Sequence, residues 1–220
     1  MKLPNDLRAG DVLLCFKDAK LDPVGKGITR VTNSEYTHAA ICIDSSTAAE
    51  STVLRGVAKV EIQALVKRYD HVAVFRQPDA WQFPERIWSL NAFIDSIIAS
   101  GAKYNLRDVA TFMKSNKVHQ LSLTEQLYAF FNGTYDPTPV EKVRYFCSEL
   151  VADCFVVTGF IEPSAAVVYR SDVTSPGALG RDATFGTFYG YVSITSNYSV
   201  PATDEFFNLS TFSEIYDDNS

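Results

Sequence analysis

The sequence predicts an α+β domain built on an antiparallel sheet, and three observations predict it. Short apolar segments with strand-like alternation crowd the first 77 positions. Helical spacing takes over after Pro84. Strand-like segments then return only towards the end of the chain. Strands, then helices, then a strand or two is the order of segregated packing rather than of alternating β and α units. The 220 residues, 46% hydrophobic and including 15 Phe, 11 Tyr and 2 Trp, supply ample core for such a domain and exclude a largely disordered chain.

Residues 11–16 (DVLLCF) read as a short buried strand after a Gly-Asp turn. Residues 23–33 suit a short helix or turn with Pro23 near its start. The clearest strand is 36–44, YTHAAICID. Alternation there puts Ala39, Ile41 and Ile43 on one face and His38, Ala40 and Cys42 on the other. Asp44, Ser45 and Ser46 supply a turn, and 47–53 returns as a second strand. A strand near 55–60, a short helix near 61–68 and a strand at 71–77 follow.

Beyond Pro84, Ile87, Leu90, Ile94, Ile97 and Ile98 give 85–99 a helical stripe, and 105–114 and 122–131 suit two more helices. Gly133, Pro137 and Pro139 make 132–140 a loop. From Cys147 onward, Leu150, Val151, Cys154 and Phe155 follow the spacing of an inward-facing helix. Segments 166–170 and 187–194 are strand candidates that close the domain.

Charge and composition exclude several function classes. The net charge is −6, from 20 basic and 26 acidic residues. No Lys or Arg follows Arg181, while six acids do, so the whole excess lies at the C-terminal end. There is no basic stripe to follow a phosphate backbone, and no nucleic-acid partner is expected. Nine of the 39 residues after Arg181 are Phe or Tyr, so this end is expected to pack on the domain rather than trail in solvent. No apolar run reaches the roughly 18–20 residues of a membrane span. MKLPNDLRAGD has no apolar segment to serve as a secretory signal, which leads to an expectation of a cytoplasmic protein. Four scattered cysteines without a CxxC pair do not make a disulfide scaffold.

Few residues are left that can carry chemistry. The histidines are His38, His71 and His119. His38 and Cys42 lie ~13 Å apart along a strand, too far to share one ion, so no metal and no cofactor is expected. Cys147 follows Tyr145-Phe146 and opens a helix. There, free N–H groups and the helix dipole stabilise a thiolate and can receive an oxyanion. Two roles fit it equally: an activated nucleophile, or a small buried apolar side chain like Cys154.

A thiolate needs a base, and His38 sits on the strand face opposite the isoleucines. If 36–43 and 47–53 pair around residues 44–46, partner numbers sum to 88 or 90. An even sum puts Glu50 on His38's face, opposite or diagonal, within reach of the imidazole. An odd sum would send it to the other face. Taken alone, His38 and Glu50 also suit a satisfied strand histidine and a solvated edge charge.

Taken in order, LRAGDVLLCF, ITRVTNSEYTHAAICID, Ala49-Glu50, Gly56-Val57, GAKYN (101–105), YFCSELVADCF and SPGALGRDATF (175–185) form a wider pattern. From about residue 8 to about residue 190 it resembles the YiiX-like branch of the permuted NlpC-type, papain-like cysteine hydrolases. The most specific pieces are Tyr36-Thr37-His38-Ala39-Ala40-Ile41 and Phe146-Cys147-Ser148-Glu149-Leu150. The resemblance implies a circularly permuted papain-like fold, an antiparallel sheet or small barrel packed against helices, with the His-bearing strands ahead of the Cys-bearing helix. It implies Cys147 as nucleophile, His38 as base, Glu50 as orienting acid, and Tyr104 as an aromatic residue that assists the oxyanion or simply packs. Ser148 and Glu149 belong to the motif but are read as helix-start residues. The activity implied is amide hydrolysis through a thioester, on a small-molecule or peptide substrate. Two alternatives share the resemblance: a lipid acyltransferase or phospholipase with membrane contact through 106–131, and an inactive ligand-binding module. Residues 1–195 are expected to form one catalytic domain with a helical insertion near 106–144, and 196–220 an acidic, aromatic extension.

Overall fold

The computed structural model describes residues 6–18, 34–105, 123–134, 142–162, 165, 169, 171–194, 197–211 and 214–215. Six strands form one antiparallel sheet: β1 (Val12–Phe16), β2 (Tyr36–Cys42), β3 (Thr47–Thr52), β4 (Gly56–Glu61), β5 (His71–Arg76) and β8 (Thr187–Val192). Their order across the sheet is β4-β3-β2-β1-β5-β8. Two short strands, β6 (Lys103–Tyr104) and β7 (Arg144–Tyr145), pair in parallel beside it. The helices are α1 (Ile62–Val66), α2 (Pro78–Trp81), α3 (Pro84–Ala99), α4 (Cys147–Val157) and α5 (Pro176–Arg181). Residues 123–131 are also helical. The expected elements at 23–33, nearly all of 105–114, and most of 166–170 lie outside the described residues.

The barrel alternative is corrected: the sheet is open, with β4 and β8 at its two ends. Beside β4, Val57 donates to the carbonyl of Ala102, 3.1 Å away, so the loop before β6 occupies a place that barrel closure would need.

Both faces of the sheet are covered, which explains why β2 and β5 are buried along their whole length. On one face Ala39, Ile41 and Ile43 meet Leu90, Phe93, Ile94 and Ile97 of α3 and Leu150, Val151 and Phe155 of α4. On the other, Ala40 and Cys42 meet Ile62, Leu65 and Val66 of α1. The period-two alternation of β2 thus sorts its side chains into two cores.

The β2–β3 turn sets the register. Asp44 Oδ1 accepts the N–H groups of Ser46 and Thr47, both at 2.7 Å, a side-chain turn that closes the hairpin tightly. Ala40 then faces Glu50, Ile41 faces Ala49 and Cys42 faces Ala48.

The C-terminal segment is packed into this frame. Asp204 is buried and accepts from the Tyr36 hydroxyl at 3.0 Å, the Tyr191 hydroxyl at 2.6 Å and the Phe206 N–H at 3.0 Å. His71 Nε2 lies 3.0 Å from the same carboxylate, and its Nδ1 lies 3.0 Å from the Tyr198 hydroxyl. Phe206 enters the core against Tyr36 and Phe75, and a Cβ on Gly180 of α5 would come within 2.5 Å of its ring. Asp204→Ala strips three side-chain partners of one buried acceptor. The expected cost is roughly 2–4 kcal/mol, read as a clear fall in thermal midpoint. An unchanged midpoint would mean that this end adds nothing to the fold.

Candidate active site

His38 sits on β2, and Glu50 on β3 opposite Ala40, so the two are diagonal neighbours on one face of the sheet. Their side chains meet at 2.9 Å, His38 Nε2 to Glu50 Oε2. Glu50 has no exposed surface and is the focus of positive charge. Arg68, beyond α1, donates to Oε2 at 2.5 Å, and Arg55, from the β3–β4 turn, donates to Oε1 at 3.2 Å. Burial alone would raise the carboxyl's pKa. The hydrogen bonds from His38 and Arg68 outweigh it and hold the group at about 2. The Tyr69 ring lies parallel to the His38 imidazole, centroids 5.8 Å apart and planes within 8°.

Below the Ala40–Glu50 pair β2 and β3 cease to be ladder partners, and the start of α4 comes in beside them. Ser51 donates its hydroxyl to the Tyr145 carbonyl at 2.7 Å, tying β3 to the turn before Cys147. Cys147 is the first residue of α4. Its sulfur hydrogen-bonds to the His38 ring and accepts the N–H groups of Ala39 and Ser148. With Nε2 on the carboxylate, Nδ1 is the ring nitrogen left for the sulfur.

The electrostatics follow from this geometry. Burial works against a charged Cys147, yet the His38 hydrogen bond and charge, with the two backbone donors, bring its thiol below the ordinary value. Burial also works against a charged imidazole, but the bonds to Cys147 and Glu50 push His38 up to about 9. Both shifts run in the direction of a thiolate–imidazolium pair. His38's contribution to stability is complete below its ordinary value of 6.5 and lost as pH rises through about 9. Glu50's is present above 4.5 and lost as pH falls towards about 2.

The remaining cysteines stand apart. Cys15, Cys42 and Cys154 are fully buried, and desolvation pushes each thiol far up. Tyr104 pairs across β6–β7 with Tyr145, two residues before Cys147. Burial and the charge of Cys147 raise its phenol, and the hydroxyl has no hydrogen-bond partner among the described residues.

Glu149 and Ser148 stabilise the helix start. Glu149 accepts the Phe146 N–H at 3.1 Å and the Lys142 ammonium at 2.7 Å, and Ser148 donates to the Thr174 carbonyl at 2.7 Å. Lys142 also reaches Asp153 at 3.0 Å. Burial outweighs that shared cation, leaving Glu149 at about 7 and Asp153 at about 6.

Reasoning from the sequence missed Arg68, Arg55 and Tyr69 as neighbours of the pair. Arg55 alone carried a local signal, since it lies five residues beyond Glu50 across a tight turn. Among the described residues no cluster of three or more His, Cys, Asp or Glu could hold a metal ion, and no helix is long and apolar enough to cross a membrane.

No family model matches the chain. Over 164 residues it is 28% identical to the probable lipoprotein peptidase YaeF of Escherichia coli (strain K12). The match covers 70% of this chain and 57% of that protein, so the chain spans little more than half of its relative's length. A relative of that name is consistent with the resemblance drawn from the motifs.

Proposed function

We propose that the protein is a cysteine hydrolase that cleaves an amide bond, in a peptide or an amidated small molecule, through Cys147, His38 and Glu50. The meeting of the Cys147 sulfur with an imidazole backed by a buried carboxylate carries this reading. The name of the relative, a probable peptidase, supports it from outside the geometry.

In this mechanism the Cys147 thiolate attacks the carbonyl carbon. The carbonyl oxygen becomes an oxyanion facing the Cys147 backbone N–H at the helix start, with the free Tyr104 hydroxyl as second donor. The C–N bond breaks, and the leaving amine takes its proton from the His38 imidazolium. A thioester remains on Cys147. His38, now neutral, removes a proton from water as the water attacks the thioester. The acid product leaves and the thiolate–imidazolium pair is restored. Glu50 holds the imidazole and its charge throughout, without itself accepting a proton.

Iodoacetamide at about pH 6 tests the first step. Carbamidomethylation confined to Cys147 is expected, because the other three thiols are buried and shifted upwards. Uniformly slow reaction of all four cysteines would overturn the hydrolase. With any substrate that is turned over, kcat/KM is expected to fall as pH rises through about 9, where His38 loses the proton the leaving amine needs.

A further inference from the structure

A cleft of about 550 Å³ lies between the β3–β4 turn and the β6–β7 pair, lined among others by Leu54, Arg55, Ile98, Lys103, Tyr104 and Arg144. Three of its residues are cations and none is acidic. This concentration of positive charge runs against a chain whose net charge is −6. Arg55 is committed to Glu50, with half of its side chain still exposed. Lys103 and Arg144 are register partners in β6–β7, both exposed, and neither has an ion-pair or hydrogen-bond partner for its side chain among the described residues. On α3, Asp95 pairs with Lys59 at 2.5 Å.

The cleft adjoins the candidate site through two shared residues. Arg55 reaches the orienting carboxylate, and the Tyr104 phenol feels the charge of Cys147. Like charges held together with no anion between them repel, and an incoming anion relieves that repulsion. The apolar lining of Leu54 and Ile98 suits the stem that would carry such a group. In a peptide the available anion is a carboxylate.

Resting on the hydrolase reading, we infer that this cleft is a specificity subsite that holds a carboxylate of the substrate, several bonds from the scissile carbonyl, on Lys103 and Arg144. The carboxylate belongs to an acidic side chain or to a free C-terminus, and both present the same two oxygens to a cation pair.

The test needs no known substrate. Cys147 is labelled with 6-maleimidohexanoic acid and, separately, with its methyl ester, in the intact protein at low ionic strength. The same is done in a Lys103→Gln, Arg144→Gln double variant, whose changes lie on the surface and outside the catalytic trio. The acid is expected to react roughly tenfold faster than the ester in the unaltered protein, and the acid-to-ester ratio to fall several-fold in the double variant. The neutral ester reports directly on the thiolate and is expected to label both proteins equally. An acid-to-ester ratio that the double variant leaves unchanged would overturn the subsite while sparing the hydrolase. Slow, unselective labelling by the ester would overturn the hydrolase and the subsite with it. Protection against the acid by N-acetylglutamic acid α-amide or by N-acetylalanine identifies the side-chain or the terminal carboxylate as the source. Protection by neither would count against the subsite.

Discussion

Cys147→Ala and His38→Ala are each expected to lower kcat/KM by about 10⁴-fold or more, to a level that the double variant does not deepen further. In the proposed mechanism, removing the sulfur removes the atom that forms the thioester. Removing the imidazole takes away the main influence that brings the Cys147 thiol down, so burial pushes it back towards the inert state of the other three cysteines. The leaving amine also loses its proton donor. Each variant alone thus disables the same unit, which is why the losses do not add. The folds are expected to survive, because neither side chain belongs to the two apolar clusters that make up the core. Steady-state turnover with thermal melting separates the two effects, and full turnover by either variant would end the proposed mechanism.

Glu50→Ala is expected to be the most damaging single change to stability around the site. The carboxylate is fully buried and receives His38, Arg55 and Arg68. Its loss leaves a half-buried guanidinium and an imidazolium facing each other without an anion. Removing one partner of a buried ion pair costs roughly 3–5 kcal/mol, or about 6–20 °C in a protein of this size. Glu50→Gln keeps the shape and one acceptor, so it is expected to melt higher than the alanine variant. Its turnover is expected to fall, though less than on loss of the sulfur, since the amide can orient the ring but not balance its charge. A Glu50→Ala protein with unchanged melting and turnover would show the carboxylate to be idle in both respects.

How much of this was legible in the sequence depends on the range over which each contact acts. The face of β2 that carries Ala39, Ile41 and Ile43 follows from period-two alternation, and these residues do pack against α3 and α4. The diagonal of His38 and Glu50 follows from an even hairpin register, which the Asp44 turn enforces. Both are local, spanning a dozen residues. By contrast, Arg68 reaches Glu50 only because α1 and its turn reverse the chain, and no periodicity in 61–68 encodes that meeting. Lys142 finding Glu149, Asp153 and Ser171 depends on how the residues before α4 return to it. The choice between open sheet and barrel was equally hidden, since it turns on which group lies beside β4 rather than on the composition of the strand.

The burial of Asp204 also bears on how the chain is made. Tyr36 waits for that carboxylate across 168 residues, and His71 across 133. At a ribosomal pace of roughly 5–20 residues per second, the interval for Tyr36 is on the order of ten to thirty seconds. Throughout it, the nascent sheet carries a tyrosine and a histidine whose acceptor has yet to be translated, and water or a chaperone must stand in for it.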